Sequence, residues 1–342
     1  MDRLISSETT DPTSRLSRLT WVVTGVGVLA VGLVAATRGP GPQFAGTVAP
    51  SALAAERLDG RFWDHWGDGK AELDGYRLVQ PRYGEAREGT AVHIFVTEPF
   101  SRSAKVKADP GRHPPGDVLQ VLKLNEIRDF QTGMYDYNLM TSVFASLDPD
   151  PGIGRPLKLA FSGQEWCGMV YEELRFEDER IDLSRFSYFD GESRPSAALP
   201  RPAGGLTVDE LPIRLRGILA GAPLAPGETL TVPLLPSTRR ARLRHRPLEW
   251  GEGQIRRAAE TRSVEVPAGR FEVVDYEVSL PGSDTYRYRI EAAYPHRVVA
   301  WEGPEGERAE LAGSARLPYW ELNGEGQGRF LTKIGLDAPQ GR

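Results

Sequence analysis

Residues Val274–Glu291 read VDYEVSLPGSDTYRYRIE, and this stretch decides the fold class. Val274, Tyr276, Val278 and Leu280 alternate with Asp275, Glu277 and Ser279, and beyond Pro281-Gly282-Ser283 the residues Tyr286, Tyr288 and Ile290 alternate with Arg287, Arg289 and Glu291. A period of two puts each set on its own face of a pleated strand, and a Pro/Gly/Ser cluster between two such runs reads as a turn. Similar punctuation recurs at Pro267-Ala268-Gly269, Gly303-Pro304-Glu305-Gly306 and Asn323-Gly324. The expectation is a mainly β protein, an antiparallel meander forming a large barrel or half-barrel, with a sandwich as the other closed form. No repeat with a period of about 20–50 residues is present, which excludes a solenoid.

Upstream the pattern is fainter. In Ala91–Glu98, Val92, Ile94 and Val96 share one face and His93, Phe95 and Thr97 the other, as in a strand. Gly75–Gln80, Leu119–Ile127, Leu157–Ser162 and Met169–Phe176 are further strand candidates, and Trp63 and Trp66 would share a face of a short helix. The Pro- and Gly-rich segment Glu192–Gly205 is the best internal boundary. Beyond it, Leu211, Leu215, Ile218 and Leu219 form one apolar helical face. Thr207-x-x-Glu210 resembles a capping box, but Pro212 favours Asp209 as the cap, so one amphipathic helix is expected over Asp209–Leu219.

The N-terminal part carries an address. Leu19–Ala36 (LTWVVTGVGVLAVGLVAA) holds no charge and follows Arg15 and Arg18. About 17 apolar residues is the lower limit for a spanning helix, and the positive flank predicts a translocated body. The run reads as an uncleaved anchor, with a signal peptide cut at Thr37 as the alternative. The chain divides into a cytoplasmic tail (1–18), the transmembrane or signal segment (19–36), a linker (37–57), an N-terminal β region (58–191), a Pro/Gly linker (192–205) and a C-terminal β region (206–336). The body would lie in the cell envelope, tethered to the inner membrane or released to the periplasm.

The 342 residues carry a formal net charge of -5, which argues against a nucleic-acid partner. Five scattered histidines offer no metal spacing, and Gly251-x-Gly253 lacks the context of a dinucleotide loop, so neither metal nor cofactor is called for. Asp148, Asp150 and Gly152 read as a turn rather than a calcium loop. Glu172 and Glu173, adjacent on a strand, would point to opposite faces and share no site. The lone Cys167, in Gln164-Glu165-Trp166-Cys167-Gly168, is the one candidate nucleophile. As a catalytic group it would draw on His93 or His65 as base, with Glu165 beside it; otherwise it is a buried, inert thiol next to a core tryptophan. Trp63, Trp66 and Trp166, with Trp250, Trp301 and Trp320, are candidates to line an apolar ligand site, or else they fill the core.

Ala258–Leu317, with VPAGRF, a tyrosine-rich strand and Pro295…Arg297-Val298-Val299, resembles an uncharacterised bacterial envelope protein family whose domain of unknown function forms a large antiparallel barrel or half-barrel. The first half, with FWDHWGDGKAELDGYRL and FSGQEWCGMVYEEL, resembles bacterial proteins loosely labelled septum formation inhibitor. The nucleotide pyrophosphatases bearing that label open on a Ser- and Arg-rich nucleotide loop. Here Ser101-Arg102-Ser103 stands in the wrong context, so that activity is not carried over. The combined expectation is an exported, membrane-anchored, non-enzymatic binding or envelope-assembly factor for a lipid, another apolar ligand or an envelope protein. The alternative is a cell-envelope hydrolase or transferase using Cys167.

Overall fold

Strands β1 (Ala71–Arg82), β2 (Glu85–Ser101), β3 (Val118–Thr132), β4 (Tyr135–Ser146), β5 (Pro156–Glu165), β6 (Gly168–Phe176), β7 (Arg180–Ser187) and β8 (Arg194–Pro200) form one antiparallel meander. A second comprises β10 (Thr229–Leu235), β11 (Gly251–Val266), β12 (Gly269–Ser279), β13 (Thr285–Glu291), β14 (Val298–Glu302) and β15 (Arg308–Leu317). Pairing of β1 with β15 joins the two into a 15-stranded sheet ordered 8-7-6-5-4-3-2-1-15-14-13-12-11-10-9. The two-residue β9 (Leu206–Thr207) lies parallel to β10 at the far edge. The computed structural model describes residues 58, 60–219, 224–280, 282 and 284–338. The apolar run and the linker of residues 37–57 lie outside them, and no helix among the described residues is long and apolar enough to cross a membrane.

The two edge strands, β8 and β9, are neighbours in sequence. Residues 201–205 connect them, a reach of at most ~20 Å. Laid flat, fifteen strands at ~4.8 Å spacing would hold those edges roughly 65 Å apart. The sheet is therefore curled into a barrel with one unpaired seam. Trp250 spans the seam, its Nε1 donating to the Pro200 carbonyl at 2.8 Å.

The barrel is filled from within. α1 (Gly60–Trp66) inserts Phe62 and Trp66 against Phe95, and residues 206–219 pack between the two apolar clusters lining the halves of the curl. The helix expected over Asp209–Leu219 is shorter than its pattern suggests. Thr207 and Glu210 form a reciprocal capping box at a 3₁₀ turn, Val208–Glu210, and only α2 (Leu211–Arg214) is α-helical. Gly217 then takes a left-handed conformation (φ 64°), which turns the chain out of the helix. Asp209 caps nothing in its own segment, because its carboxylate accepts from the Thr238 N–H and hydroxyl at 2.8 and 2.7 Å in α3 (Thr238–Leu243).

Two further expectations change. Arg194–Pro200, read as part of a linker, is the edge strand β8, and the two β regions share one sheet through the β1–β15 pair. The buried face of α1 carries Phe62 and Trp66, four residues apart, whereas Trp63 is 42% exposed.

Candidate functional site at the barrel mouth

Antiparallel alternation sends one side chain in two into the barrel, and several of these are charged. On the inner face lie Gln80 of β1, His93 of β2, Glu126 and Arg128 of β3, and Trp301 of β14, with Glu307 next to β15 and Arg239 from α3. Arg128 donates to Glu126 at 2.6 Å and to Glu307 at 2.8 Å. Arg239 pairs with Glu307 at 3.0 Å, and both guanidiniums reach the Gln80 carbonyl at 3.2 Å. The Trp301 indole donates to Glu307 at 3.1 Å and stacks on the His93 ring, whose Nε2 meets Glu126 at 3.1 Å. Burial alone would raise both carboxyls, but the adjacent guanidiniums outweigh it: Glu307 is held at about 2 and Glu126 lower still. Burial, with Arg128 and Arg216 nearby, lowers His93 and keeps the imidazole neutral at pH 7.

The void between this network, Tyr286 and Tyr288 measures about 20 Å³. That is room for one water, far short of the few hundred Å³ a drug-sized ligand occupies. Tyr286 and Tyr288 thus help to fill the barrel. With its carboxylates locked by arginine and no space for a substrate, the network is a polar core.

The network surfaces at one end. Gln80, Arg239 and Glu307 form the floor of a cleft of about 560 Å³, walled by the β1–β2 tip (Pro81–Ala86), α3 and the Pro304–Glu307 turn. Four arginines line it, Arg82, Arg239, Arg240 and Arg244, against Glu85, Glu305 and Glu307. Arg239 is satisfied by Glu307, Arg240 by Asp284 and Glu305, and Arg244 by Glu305. Arg82 differs. Its guanidinium donates to the Tyr137 hydroxyl and the Tyr83 hydroxyl at 3.2 Å and to the Leu243 carbonyl at 2.8 Å, and it lies 4.2 Å over the Tyr83 ring. Among the described residues no carboxylate pairs with it.

Four successive hairpin tips share this end: β1–β2, β3–β4, β5–β6 and β7–β8. They carry Tyr83, Met134, Trp166, Met169, Phe186 and Tyr188, all more than half exposed, with Met134 at 75%, Tyr188 at 74% and Trp166 at 67%. The row is continuous. Tyr135 meets the Tyr83 hydroxyl at 3.3 Å and stands 6.4 Å from the Trp166 ring, and Tyr188 lies over Gly168 and 5.9 Å from Phe189. Tyr83 itself adopts a left-handed conformation (φ 55°), which is unusual for a bulky residue.

The structure scatters the residues that sequence nominated. Cys167 is exposed in the β5–β6 turn, correcting the buried thiol, and Trp166 beside it is no core residue, since its indole donates to Asp136 at 2.9 Å. A tight turn leaves both side chains outside the sheet. His93 is buried against Trp301 and Glu126, and His65 meets Glu72 at 3.2 Å, so neither is the base Cys167 would need. Glu165 is taken by Arg242 at 3.1 Å. Trp66 is 1% exposed inside the barrel, so Trp63, Trp66 and Trp166 do not converge. Glu172 pairs with Arg185 at 2.7 Å, while Glu173 pairs with Lys158 at 2.7 Å and also with Arg175. Sequence reasoning missed the arginines of the mouth. The signal was Arg239-Arg240-Ala241-Arg242-Leu243-Arg244-His245-Arg246, the densest basic run of the body.

No known protein family matches the chain, and no curated protein does. The septum-formation resemblance of the first half therefore gains no support. Among solved structures, the chain is similar to a β-barrel-like protein of a domain of unknown function, DUF1849, from Brucella abortus. The similarity has a TM-score of 0.42 at 8% identity, over 72% of this chain and 98% of that one.

Proposed function

We propose that this is a non-enzymatic binding protein of the cell envelope, tethered by the apolar run 19–36, which docks a protein partner on the hairpin tips at the barrel mouth. The row of exposed Tyr83, Met134, Trp166 and Tyr188 carries the reading. Aromatic side chains and methionine at an exposed, contiguous patch are the composition of a protein interface. Charges of both signs border the row (Arg82, Arg87 and Arg194 against Glu85, Asp136 and Asp190), which gives no net attraction to an anionic bilayer. The left-handed Tyr83 supports it further, because an unstrained turn would have Asn or Gly at that place.

The test is site-specific photo-crosslinking in cells with the full chain, placing the crosslinker at Met134 or Tyr188 and, as a control, at the exposed Val106 away from the tips. A discrete protein adduct from the tip positions, abolished when Trp166 and Tyr83 are both changed to Asp, is expected. Adducts equal to those from Val106, or unchanged in the double variant, would refute docking at the tips.

A further inference from the structure

The cleft beneath the tips has a use that partner docking does not require. We propose that it binds a phosphate-bearing ligand, with Arg82 as the primary anchor and Glu305 as an internal competitor that holds the outer arginines until the ligand arrives. An arginine fork matches the oxygens of phosphate, and it is most effective when positioned beforehand and left without a counter-ion. Arg82 meets both conditions: two tyrosine hydroxyls and the Leu243 carbonyl fix it, among the described residues no carboxylate neutralises it, and the hydroxyl of the exposed Tyr83 is the contact a phosphate oxygen replaces. At about 560 Å³ the cleft has the size of a small-molecule site, and Pro81, Ala86, Leu243 and Pro304 supply apolar wall for whatever the phosphate is attached to.

Glu305 lines the same space as Arg82. It projects from the short Pro304–Gly306 turn, is partly exposed, and adopts a left-handed backbone (φ 65°) that L side chains seldom take. Its carboxylate lies on both Arg240 and Arg244. That is the place of a ligand anion, filled by the chain itself. A phosphate arriving at Arg82 displaces it and gains the outer guanidiniums, while Arg240 keeps Asp284. Glu307 stays at the floor with Arg128 and Arg239.

The source of the phosphate, a free small molecule or a lipid headgroup, is decided by the test. The full chain is titrated calorimetrically with pyrophosphate at fixed ionic strength, and separately sedimented with phosphatidic acid vesicles against phosphatidylcholine vesicles. Saturable one-to-one pyrophosphate binding points to a free ligand. Selective phosphatidic acid binding that pyrophosphate fails to reproduce points to a headgroup. In whichever arm binds, Arg82→Gln weakens the interaction by about tenfold or more and Glu305→Gln strengthens it by about fivefold. Arg256→Gln, on the exposed face of β11, leaves it unchanged. Should Arg82→Gln fail to fold, the Glu305→Gln gain still decides, since that residue is on an outer turn. No saturable binding in either arm, or affinities indifferent to both substitutions, overturns the proposal. The docking reading of the tips would be untouched by that result.

Discussion

Asp74 offers the sharpest test of how the interior is built. Its carboxyl is fully buried on the inner face of β1, and neither oxygen makes a hydrogen bond of ordinary geometry, the Ser314 side chain interacting only weakly with it. Ser314 of β15 and His93 of β2 are its cross-strand neighbours, and the His93 Nδ1 likewise has none. Burial, reinforced by the Glu72 carboxylate two residues away, pushes Asp74 up to about 8 although Arg216 pulls the other way. The folded protein therefore holds a proton there between pH 4 and 8 that the unfolded chain has released. Stability from this group is full below the unfolded value of 3.8 and is lost as pH rises toward about 8. At about 1.4 kcal/mol per unit, the span from 3.8 to about 8 is on the order of 6 kcal/mol. Asn reproduces the neutral form. Urea unfolding of wild type and Asp74→Asn at half-unit steps from pH 4.5 to 8.5 should give curves that diverge by several kcal/mol, the variant becoming relatively more stable as pH rises. Groups remote from Asp74 shift both proteins alike and cancel in the difference, and Glu72, held at about 2, stays ionised throughout this range. A constant offset across the range, at equal m-values, would refute the buried neutral carboxyl.

Glu307→Gln leaves Arg128 and Arg239 short of a counter-charge in the core, and an unfolding loss of about 3 kcal/mol at pH 7 is expected. Because Glu307 is held at about 2, the wild-type advantage is present above pH 4.5 and fades as pH falls toward 2, so a pH-independent difference would contradict the pairing. Gly75→Ala and Gly313→Ala each drive a methyl into the backbone at Ile334, 2.2 Å from its oxygen and 2.5 Å from its carbonyl carbon. Each should cost about 1–3 kcal/mol and expose the segment after Leu317 to protease, and wild-type midpoints with unchanged cleavage would refute that close packing. Cys167 should react with a maleimide in the native protein, since it is exposed, and modification only after denaturation would place the β5–β6 turn inside.

Where one face of a strand met water, the sequence was readable. The alternation in β12 and β13 placed Val274, Tyr276 and Val278 opposite Ile290, Tyr288 and Tyr286 as cross-strand partners. In β2 the same rule identified the strand, but its apolar set faces away from the barrel. Val92, Ile94 and Val96 lie under Leu331, Ile334 and Leu336 of the C-terminal segment, while His93 and Phe95 point inward. Both faces are covered there, so polarity no longer marks the inside. β1 and β3 conceal their register for the same reason, since Glu72, Asp74, Glu126 and Arg128 occupy the face that a one-sided pattern would reserve for apolar residues. The mouth was illegible for a different reason. Arg82, Arg244 and Glu305 are far apart in sequence and meet only because sheet closure brings the β1–β2 tip, α3 and the Pro304 turn to one end.

That closure also explains why both proposed sites lie at the mouth. A barrel of eight strands is just filled by its own side chains, and the interior widens with every further strand. Fifteen strands leave far more room than their inward side chains can fill, so α1, residues 206–219 and α3 are drawn inside. An inserted backbone brings polar groups and needs partners in the wall. Arg216 accordingly reaches Glu72 at 2.7 Å and the Pro295 carbonyl at 2.9 Å, and Arg239 reaches Glu307. The charged inner face is thus the consequence of plugging a wide barrel with chain. Once plugged, with about 20 Å³ left at Tyr286 and Tyr288, the interior has no room for cargo there. The arginine cleft and the exposed hairpin tips stand at an end where this polar core reaches solvent.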